Sequence, residues 1–204
     1  METLAVIDFE TTGMSPGQGA RATEIAVVLV CDGRIVDRYQ NLMKTGAYIP
    51  PFIEELTGIS NAMTRNAPAA DKVMREVADF VGGYPLVAHN AAFDKKFWDA
   101  ELARAGKARQ QEFTCSLLLA RRIYPNAPNH KLGTLVRYAQ VPEAGRYHRA
   151  LADAEMTANL FLRMEEELIR RYRLDSVPHA LWQAIQATPK NKLEACVERF
   201  RGND

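Results

Sequence analysis

Short apolar runs alternate along this chain with longer amphipathic segments. The first run, residues 4–7, is apolar throughout and contains two β-branched residues, which is typical of a strand buried on both faces. Two β-rich runs follow at residues 23–30 and 35–42, and the Asp32-Gly33 pair between them favours a tight turn. The N-terminal part of the chain therefore predicts one strand followed by an antiparallel hairpin.

The remaining pattern alternates between helical spacing and two further short apolar runs, at residues 85–89 and 113–115. Helices are predicted at residues 50–58, 69–81, 91–105, 116–123, 132–139 and 149–172. A hairpin followed by strand-helix alternation predicts an α/β fold, with a mixed sheet that is mostly parallel after the hairpin and with helices on its faces. In such sheets we expect ligands at the carboxyl ends of the strands.

Residues 175–204 contain two further amphipathic segments. One opens at Pro178 and the other at Pro189, where the residue type suits the first turn of a helix. No polar linker precedes these segments. We therefore expect a C-terminal helical extension, residues 175–204, that packs on a domain of residues 1–174. The alternative is that the extension is a docking surface for another protein.

Composition limits the class of protein. The chain has 204 residues, of which 47% are hydrophobic and 25% charged, as expected for one globular domain with an appendage. It contains no run of about eighteen apolar residues and no signal-peptide pattern, so we expect no membrane association and a cytoplasmic location. Lys plus Arg (26) barely exceeds Asp plus Glu (25), so the whole-chain charge gives no support to tight non-specific binding of nucleic acid.

Two carboxylates interrupt the first strand at its carboxyl end. Asp8 and Glu10 follow the apolar run directly, at positions where a strand buried on both faces would not normally tolerate charge. Side chains alternate along a strand, so residues 8 and 10 point to the same side and their carboxylates lie close together. Like charges at this separation either share a proton or hold a cation between them. The second interpretation is a metal site.

Two more acids and a histidine stand near the same edge of the predicted sheet. Asp94 falls in the first turn of the helix that follows the run at residues 85–89, and Asp153 lies near the start of the long helix among alanines. Both have an alternative interpretation, because first-turn acids commonly complement the helix dipole. His148 precedes the long helix in a loop, where a solvated histidine is common. Hydrolysis of a phosphodiester with two metal ions requires carboxylate ligands and a base of near-neutral pKa, and these side chains supply both.

Three motifs carry a resemblance to a known family. They are VIDFETTG at residues 6–13, LVAHNAAFDKKFW at residues 86–98 and HRALADAEMTANLF at residues 148–161. In their order, and in the His-x4-Asp spacing of the third, they resemble the exonuclease motifs of the DEDDh 3′-to-5′ exonuclease superfamily. Within it the chain is most similar to the proofreading epsilon subunit of bacterial DNA polymerase III and its stand-alone relatives. The resemblance spans residue 4 to about residue 163.

The resemblance implies a ribonuclease-H-like fold and a role for each matched acid. Asp8 would bridge two Mg²⁺ or Mn²⁺ ions, and Glu10 and Asp153 would hold the first of them. Asp94 would hold the second ion through water, and His148 would be the general base.

The resemblance also implies contacts with the substrate. The terminal nucleotide would meet the backbone of Phe9, Thr11, Thr12 and Gly13. Met14 matches a residue that wedges between the last two bases in relatives, and the alternative is a core methionine. Asn90 would orient a phosphate or cap its helix, and the preference of Asn for that position favours the cap. Four basic residues flank the site and would neutralise phosphates, although each alone is typical of a solvated charge: Lys95, Lys96, Arg146 and Arg149.

The implied activity is removal of mononucleotides from single-stranded 3′ ends, with DNA favoured over RNA. Two departures from the family pattern bear on the substrate: Phe9 stands where polymerase subunits commonly have Thr, and residues 56–59 lack a His often found before the Gly. An RNA-trimming exoribonuclease similar to ribonuclease T or oligoribonuclease is the first alternative, and a catalytically silent binding subunit is the second. The expected protein partner is a DNA polymerase subunit or a second copy of the chain in a homodimer.

Overall fold

A computed structural model describes residues 2–142 and 147–202 of the chain. In this part of the chain five strands form one sheet in the order β3-β2-β1-β4-β5. The strands are β1 (Leu4–Thr11), β2 (Ala22–Cys31), β3 (Arg34–Leu42), β4 (Leu86–Ala88) and β5 (Phe113–Cys115). Strands β1, β2 and β3 pair antiparallel, whereas β4 pairs parallel with β1 and with β5. The predicted mixed α/β sheet is therefore confirmed, including the turn, where Asp32 and Gly33 both have positive φ.

The predicted helices are present within a few residues of the expected bounds. The described helices are α1 (Pro51–Thr57), α2 (Asn61–Arg65), α3 (Ala70–Val81), α4 (Ala92–Arg104), α5 (Ser116–Ile123), α6 (Leu132–Tyr138), α7 (Ala150–Tyr172), α8 (His179–Ala187) and α9 (Leu193–Arg201). Helix α2 was not expected, because five residues are too few for a periodic pattern; the Ser60 hydroxyl holds it by accepting the N–H of Met63 at 3.2 Å. Among the described helices, no segment combines the length and the apolar character that crossing a bilayer requires.

The alternation of side chains along β1 assigns its residues to two hydrophobic clusters. Leu4 and Val6 belong to the cluster that contains the buried faces of α5 to α9, whereas Ala5, Ile7 and Phe9 belong to the cluster with α3 and α4. Residues 8 and 10 continue the first series, so their side chains face α7. The sheet therefore presents its acidic positions to the N-terminal turn of the longest helix.

The C-terminal helices lie against the outer strand of the sheet. The side-chain amide of Gln186 accepts the N–H of Cys115 at 2.9 Å and donates to the carbonyl of Phe113 at 3.2 Å, so it occupies backbone groups at the free edge of β5. The Trp182 ring packs on Phe161 of α7, with ring centroids 4.5 Å apart. Covering an exposed edge in this way prevents edge-to-edge pairing with other chains. The division of the chain at residue 174 stays a prediction.

Candidate active site

Three carboxylates converge where β1 ends beside the first turn of α7. One carboxylate oxygen each of Asp8, Glu10 and Asp153 lies within 4.8 Å of the other two. The strand pleat places residues 8 and 10 on one side, and α7 runs over that side with residue 153 in its first turn. We call these three residues the carboxylate trio. The expectation that residues 8 and 10 point the same way is met by this geometry.

Asp94 reaches the same point from the other face of the sheet. It lies in the first turn of α4, is 2% exposed, and accepts the backbone N–H of Phe9 through Oδ1 at 3.3 Å. Among the neighbouring carboxylates, its charge contributes most to raising the pKa of Asp8. Asp94 therefore adjoins Asp8 without belonging to the carboxylate trio.

Burial raises the pKa of every acid at this site, and the charges of neighbouring acids raise the pKa of Asp8 and Glu10 further. Burial raises the pKa of Glu10 to about 8, with further increases from the charges of Asp153 and Glu24. Burial raises the pKa of Asp94 to about 8, against the opposing effect of hydrogen bonds from its own backbone N–H and from that of Phe9. Burial, followed by the charge of Asp94, raises the pKa of Asp8 well above its ordinary value, and burial raises that of Asp153. Without a bound cation, simultaneous ionisation of the four buried acids at neutral pH is therefore unfavourable.

The donor set suits a hard divalent cation. Asp153 Oδ1 is buried and has no hydrogen-bond partner among the described residues. An orphaned carboxylate oxygen beside two other carboxylates is costly unless a cation or a proton compensates it. Carboxylate oxygens are ligands that Mg²⁺, Mn²⁺ and Ca²⁺ prefer, and no sulfur or imidazole belongs to the carboxylate trio. Asp8, Glu10 and Asp153 therefore fit the implied metal ions, with Asp94 adjacent.

His148 lies in the loop before α7, as predicted. Its side chain is exposed and its ring is not part of the carboxylate trio. Its backbone is fixed, because its N–H donates to Asp153 Oδ2 at 3.0 Å and its φ of 61° is in the left-handed region, which is uncommon for a residue other than glycine. The loop thus holds a solvent-accessible imidazole next to a metal-ligand candidate.

Glu24 anchors this loop, a role that was not predicted from the sequence. The Glu24 side chain is 1% exposed; its carboxylate accepts two hydrogen bonds from Arg149, at 2.7 and 3.1 Å, and the N–H of Ala150 at 3.0 Å. Glu24 pairs across the strands with Glu10, so the anchor is directly beside the carboxylate trio. The signal was available, because Glu24 is a charge inside an otherwise apolar strand, like Asp8. Arg149 is consequently bound within the protein instead of being free for a phosphate.

Two threonine side chains in the turn after β1 form hydrogen bonds with nearby backbone groups. Thr11 Oγ1 donates to the carbonyl of Gly13 at 2.8 Å, and Thr12 Oγ1 accepts the N–H of Arg21 at 3.0 Å. These bonds hold the backbone of the turn in place. Met14 follows at its tip and is 74% exposed, so the alternative of a core methionine is wrong.

The remaining residues predicted to contact the substrate differ in their exposure and in their hydrogen bonds. The Phe9 ring is buried against Trp98, and its N–H is already occupied by Asp94. Asn90 is exposed with a φ of 66°; α4 is capped at Ala91 with no side-chain bond, so the predicted Asn90 cap is wrong. The reason is that Asn90 occupies a left-handed turn between β4 and α4, a conformation that Asn tolerates, so the helix starts after it with Ala91 at the cap position. Lys95 and Lys96 are exposed, and Arg146 lies outside the described residues.

The fold and the site together define a ribonuclease-H-like nuclease domain, a mixed sheet with acids gathered at the end of its central strand. The sequence profile of the RNase_T family, described as "Exonuclease", matches residues 5–161. The chain belongs to this exonuclease family.

Similar proteins agree with this assignment. The DNA polymerase III subunit epsilon of Aquifex aeolicus is 34% identical over 171 residues, which cover 83% of this chain and 84% of that protein. Two much longer relatives are the PolC-type DNA polymerase III of Bacillus cereus, 34% identical over 171 residues, and the 3′-5′ exonuclease DinG of Bacillus subtilis, 38% identical over 168 residues. The matches cover 83% and 82% of this chain, but only 12% and 18% of those proteins.

Solved structures share the fold. Exonuclease X in complex with 5′ overhanging duplex DNA superimposes with a TM-score of 0.67 at 28% identity, covering 85% of this chain and 95% of that one. The nuclease domain of 3′hExo, a DEDDh family member bound to rAMP, has a TM-score of 0.70 at 21% identity, covering 80% of this chain and 91% of that one. At 21% identity the second likeness concerns the fold alone.

Proposed function

We propose that this chain hydrolyses phosphodiester bonds at the 3′ ends of single-stranded DNA and releases nucleoside monophosphates. The observation that carries the proposal is the carboxylate trio, three oxygens within 4.8 Å on a fold of the exonuclease family. A histidine loop directly before one of the three acids supplies a second requirement of hydrolysis, a side chain that can act as general base.

Each side chain has a proposed role in this reaction. Asp8, Glu10 and Asp153 hold two divalent ions, Mg²⁺ or Mn²⁺, and Asp94 contributes from the far side of Asp8. Bound ions of this kind activate water and neutralise charge that develops on the phosphate. His148 accepts a proton from the attacking water, for which an exposed imidazole on a fixed backbone is suited.

The turn after β1 and the exposed Asn90 would receive the terminal nucleotide. Thr11, Thr12 and Gly13 keep this turn in shape through the bonds described above, so its backbone is pre-organised for a ligand. The exposed side chain of Met14 is free to insert between the last two bases. The Asn90 amide is free to bind a phosphate oxygen, since it does not cap its helix.

DNA is proposed as the substrate because the curated relatives at 34–38% identity are DNA polymerase III components or DinG. The similarity to Aquifex aeolicus subunit epsilon over 84% of its length also supports a polymerase as a protein partner and a role in proofreading or repair. These functions would operate in the cytoplasm.

Parallel digestion of two end-labelled single strands, one DNA and one RNA of equal sequence, tests the proposal. We expect loss of mononucleotides from the 3′ end of the DNA in Mg²⁺ or Mn²⁺, no reaction in excess chelator, and slower digestion of the RNA. Faster digestion of RNA would assign the chain to the exoribonuclease alternative. Absence of hydrolysis of both strands, with metal binding retained, would indicate a binding subunit.

A further inference from the structure

A groove separate from the carboxylate trio lies at the same edge of the sheet. It runs between the loop at residues 44–48 and helix α2, and has a volume of about 330 Å³. We propose that this groove binds the single strand several nucleotides before the scissile 3′ end, with Lys44 and Arg65 on phosphates and Tyr48 stacked on a base. The inference rests on the proposed function, because it assigns a second contact to the same substrate.

The position of the groove follows from strand register. Glu10 pairs with Glu24, and Glu24 pairs with Leu42, so the carboxyl end of β3 is two strands away from the carboxylate trio. Two strand spacings amount to about 10 Å, and the two further residues to Lys44 add up to about 7 Å. A stacked strand with about 3.4 Å per nucleotide covers this distance with roughly three to five nucleotides.

The charge of the groove suits a polyanion. Lys44 and Arg65 are exposed, and neither forms a salt bridge with another described residue. No acid is among the described residues that line the groove, which are Lys44, Gly46, Ala47, Tyr48, Asn61, Thr64 and Arg65. Cations without protein partners beside a nuclease site are available to neutralise phosphates.

An exposed aromatic ring stands at the wall of the groove. The Tyr48 side chain is 70% exposed, far more than a core tyrosine, and Phe52 of α1 is exposed to 66% nearby in the chain. A ring with a free face stacks on any base, which is how proteins commonly bind single strands without sequence preference. The combination of ring and cations distinguishes this groove from an apolar docking surface for a protein.

The loop that carries Tyr48 is held in shape before any ligand arrives. The Asn61 side chain accepts the N–H of Ile49 at 2.8 Å and donates to the carbonyl of Ile49 at 2.9 Å, which ties the loop to α2. Ile49 itself is 1% exposed and anchors the loop in the core. A pre-formed wall limits the ordering cost of binding.

Steady-state kinetics on two substrates tests the groove. A single-stranded DNA of about a dozen nucleotides reaches the groove, whereas the p-nitrophenyl ester of thymidine 5′-monophosphate occupies the active site alone. The quantity compared among variants is the ratio of kcat/KM for the DNA to kcat/KM for the ester. We expect Tyr48→Ala to lower this ratio about tenfold through KM. For the double variant Lys44→Ala/Arg65→Ala, the slope of log KM against log salt should decrease by about 1.4, since each phosphate contact contributes about 0.7 on a single strand.

The matched control is Lys190→Ala/Lys192→Ala, which removes two exposed lysines from the C-terminal extension. Its ratio and salt slope should equal those of the wild type. The proposal is overturned if the groove variants keep the wild-type ratio and slope, or if the control changes them equally. Wild-type hydrolysis of the ester and the DNA is measured first, because absence of both reactions contradicts the proposed function and not the groove.

Discussion

The raised pKa of Glu10 predicts that metal-free protein loses stability as the pH rises. To test this, divalent ions are removed with a chelator at two pH values, about 5.5 and about 8. Glu10 has an ordinary pKa of 4.5 and a pKa of about 8 in the folded protein. The folded state therefore keeps a proton that the unfolded chain releases. This contribution to stability is complete below about pH 4.5 and is lost as the pH rises through about 8.

The size of the effect follows from the pKa and the burial. Each pH unit in this window costs about 1.4 kcal/mol, so the interval from about pH 5.5 to about pH 8 costs at most about 3 kcal/mol from Glu10. Glu10 is only 9% exposed, so solvent screens little of this. For a chain of this length, about 1 kcal/mol shifts Tm by about 2 to 4 °C, which gives a decrease of about 6 to 12 °C. Bound Mg²⁺ favours the ionised carboxylates and should remove most of the decrease.

Differential scanning calorimetry of the wild type and Glu10→Gln, each with chelator or Mg²⁺, measures the effect. The difference in Tm between Mg²⁺ and chelator should grow with pH in the wild type. Metal-free Glu10→Gln should have a smaller pH dependence, because the amide does not titrate. Exposed Glu55 provides the control variant Glu55→Gln, which should behave as the wild type. A wild-type difference that is equal at both pH values would contradict a raised pKa of Glu10 in the metal-free folded protein.

Four further results are expected. Chelator should abolish activity, and Mg²⁺ or Mn²⁺ should restore it. Ca²⁺ should bind without supporting turnover, because its bonds to oxygen are longer and its coordination geometry is looser. Asp8→Ala should be inactive with every metal ion. His148→Ala should lower kcat about 10²- to 10⁴-fold and keep its Mg²⁺ affinity in calorimetric titration; a loss of affinity equal to that of Asp153→Ala would make His148 a ligand. Glu24→Gln should lower Tm by about 3 to 12 °C, since bonds to a charged group contribute about 1.5 to 3 kcal/mol; an unchanged Tm would contradict the anchor. Deletion of residues 175–204 should expose β5 and cause aggregation in light scattering, and a soluble truncated protein would contradict the edge-covering role.

The elements with a strong local pattern were predictable from the sequence. Strand β1 begins with a continuous apolar run and helix α7 has apolar residues at helical spacing over its length, and the structure confirms both elements. Helix α2 was missed because its five residues are defined by a cap at Ser60 and not by periodicity. The Asn90 cap was wrong because residue preference describes an average helix start, whereas the chain turns through a left-handed residue there.

The candidate acids were predictable for a different reason. A charge in a buried strand is expensive wherever the strand lies, so Asp8 and Glu10 stand out without any knowledge of the fold. The same rule identifies Glu24, which is 1% exposed in β2. What the rule does not predict is the partner that compensates each charge, because the partner is distant in sequence: Arg149 is 125 residues from Glu24.

The partner separates a structural acid from a functional one. Glu24 has a cation of the protein itself as its partner, because Arg149 donates two hydrogen bonds to it, and Ala150 and Gln40 donate one each. The charges that act most strongly on Asp8 are those of other acids, and Asp153 keeps one buried oxygen without a hydrogen-bond donor among the described residues. Within the described part of the chain these two lack such a partner, so a bound cation or added protons would compensate them. The three-dimensional structure thus divides the buried acids of this sheet edge into one that fixes the histidine loop and a group that a cation or protons would compensate.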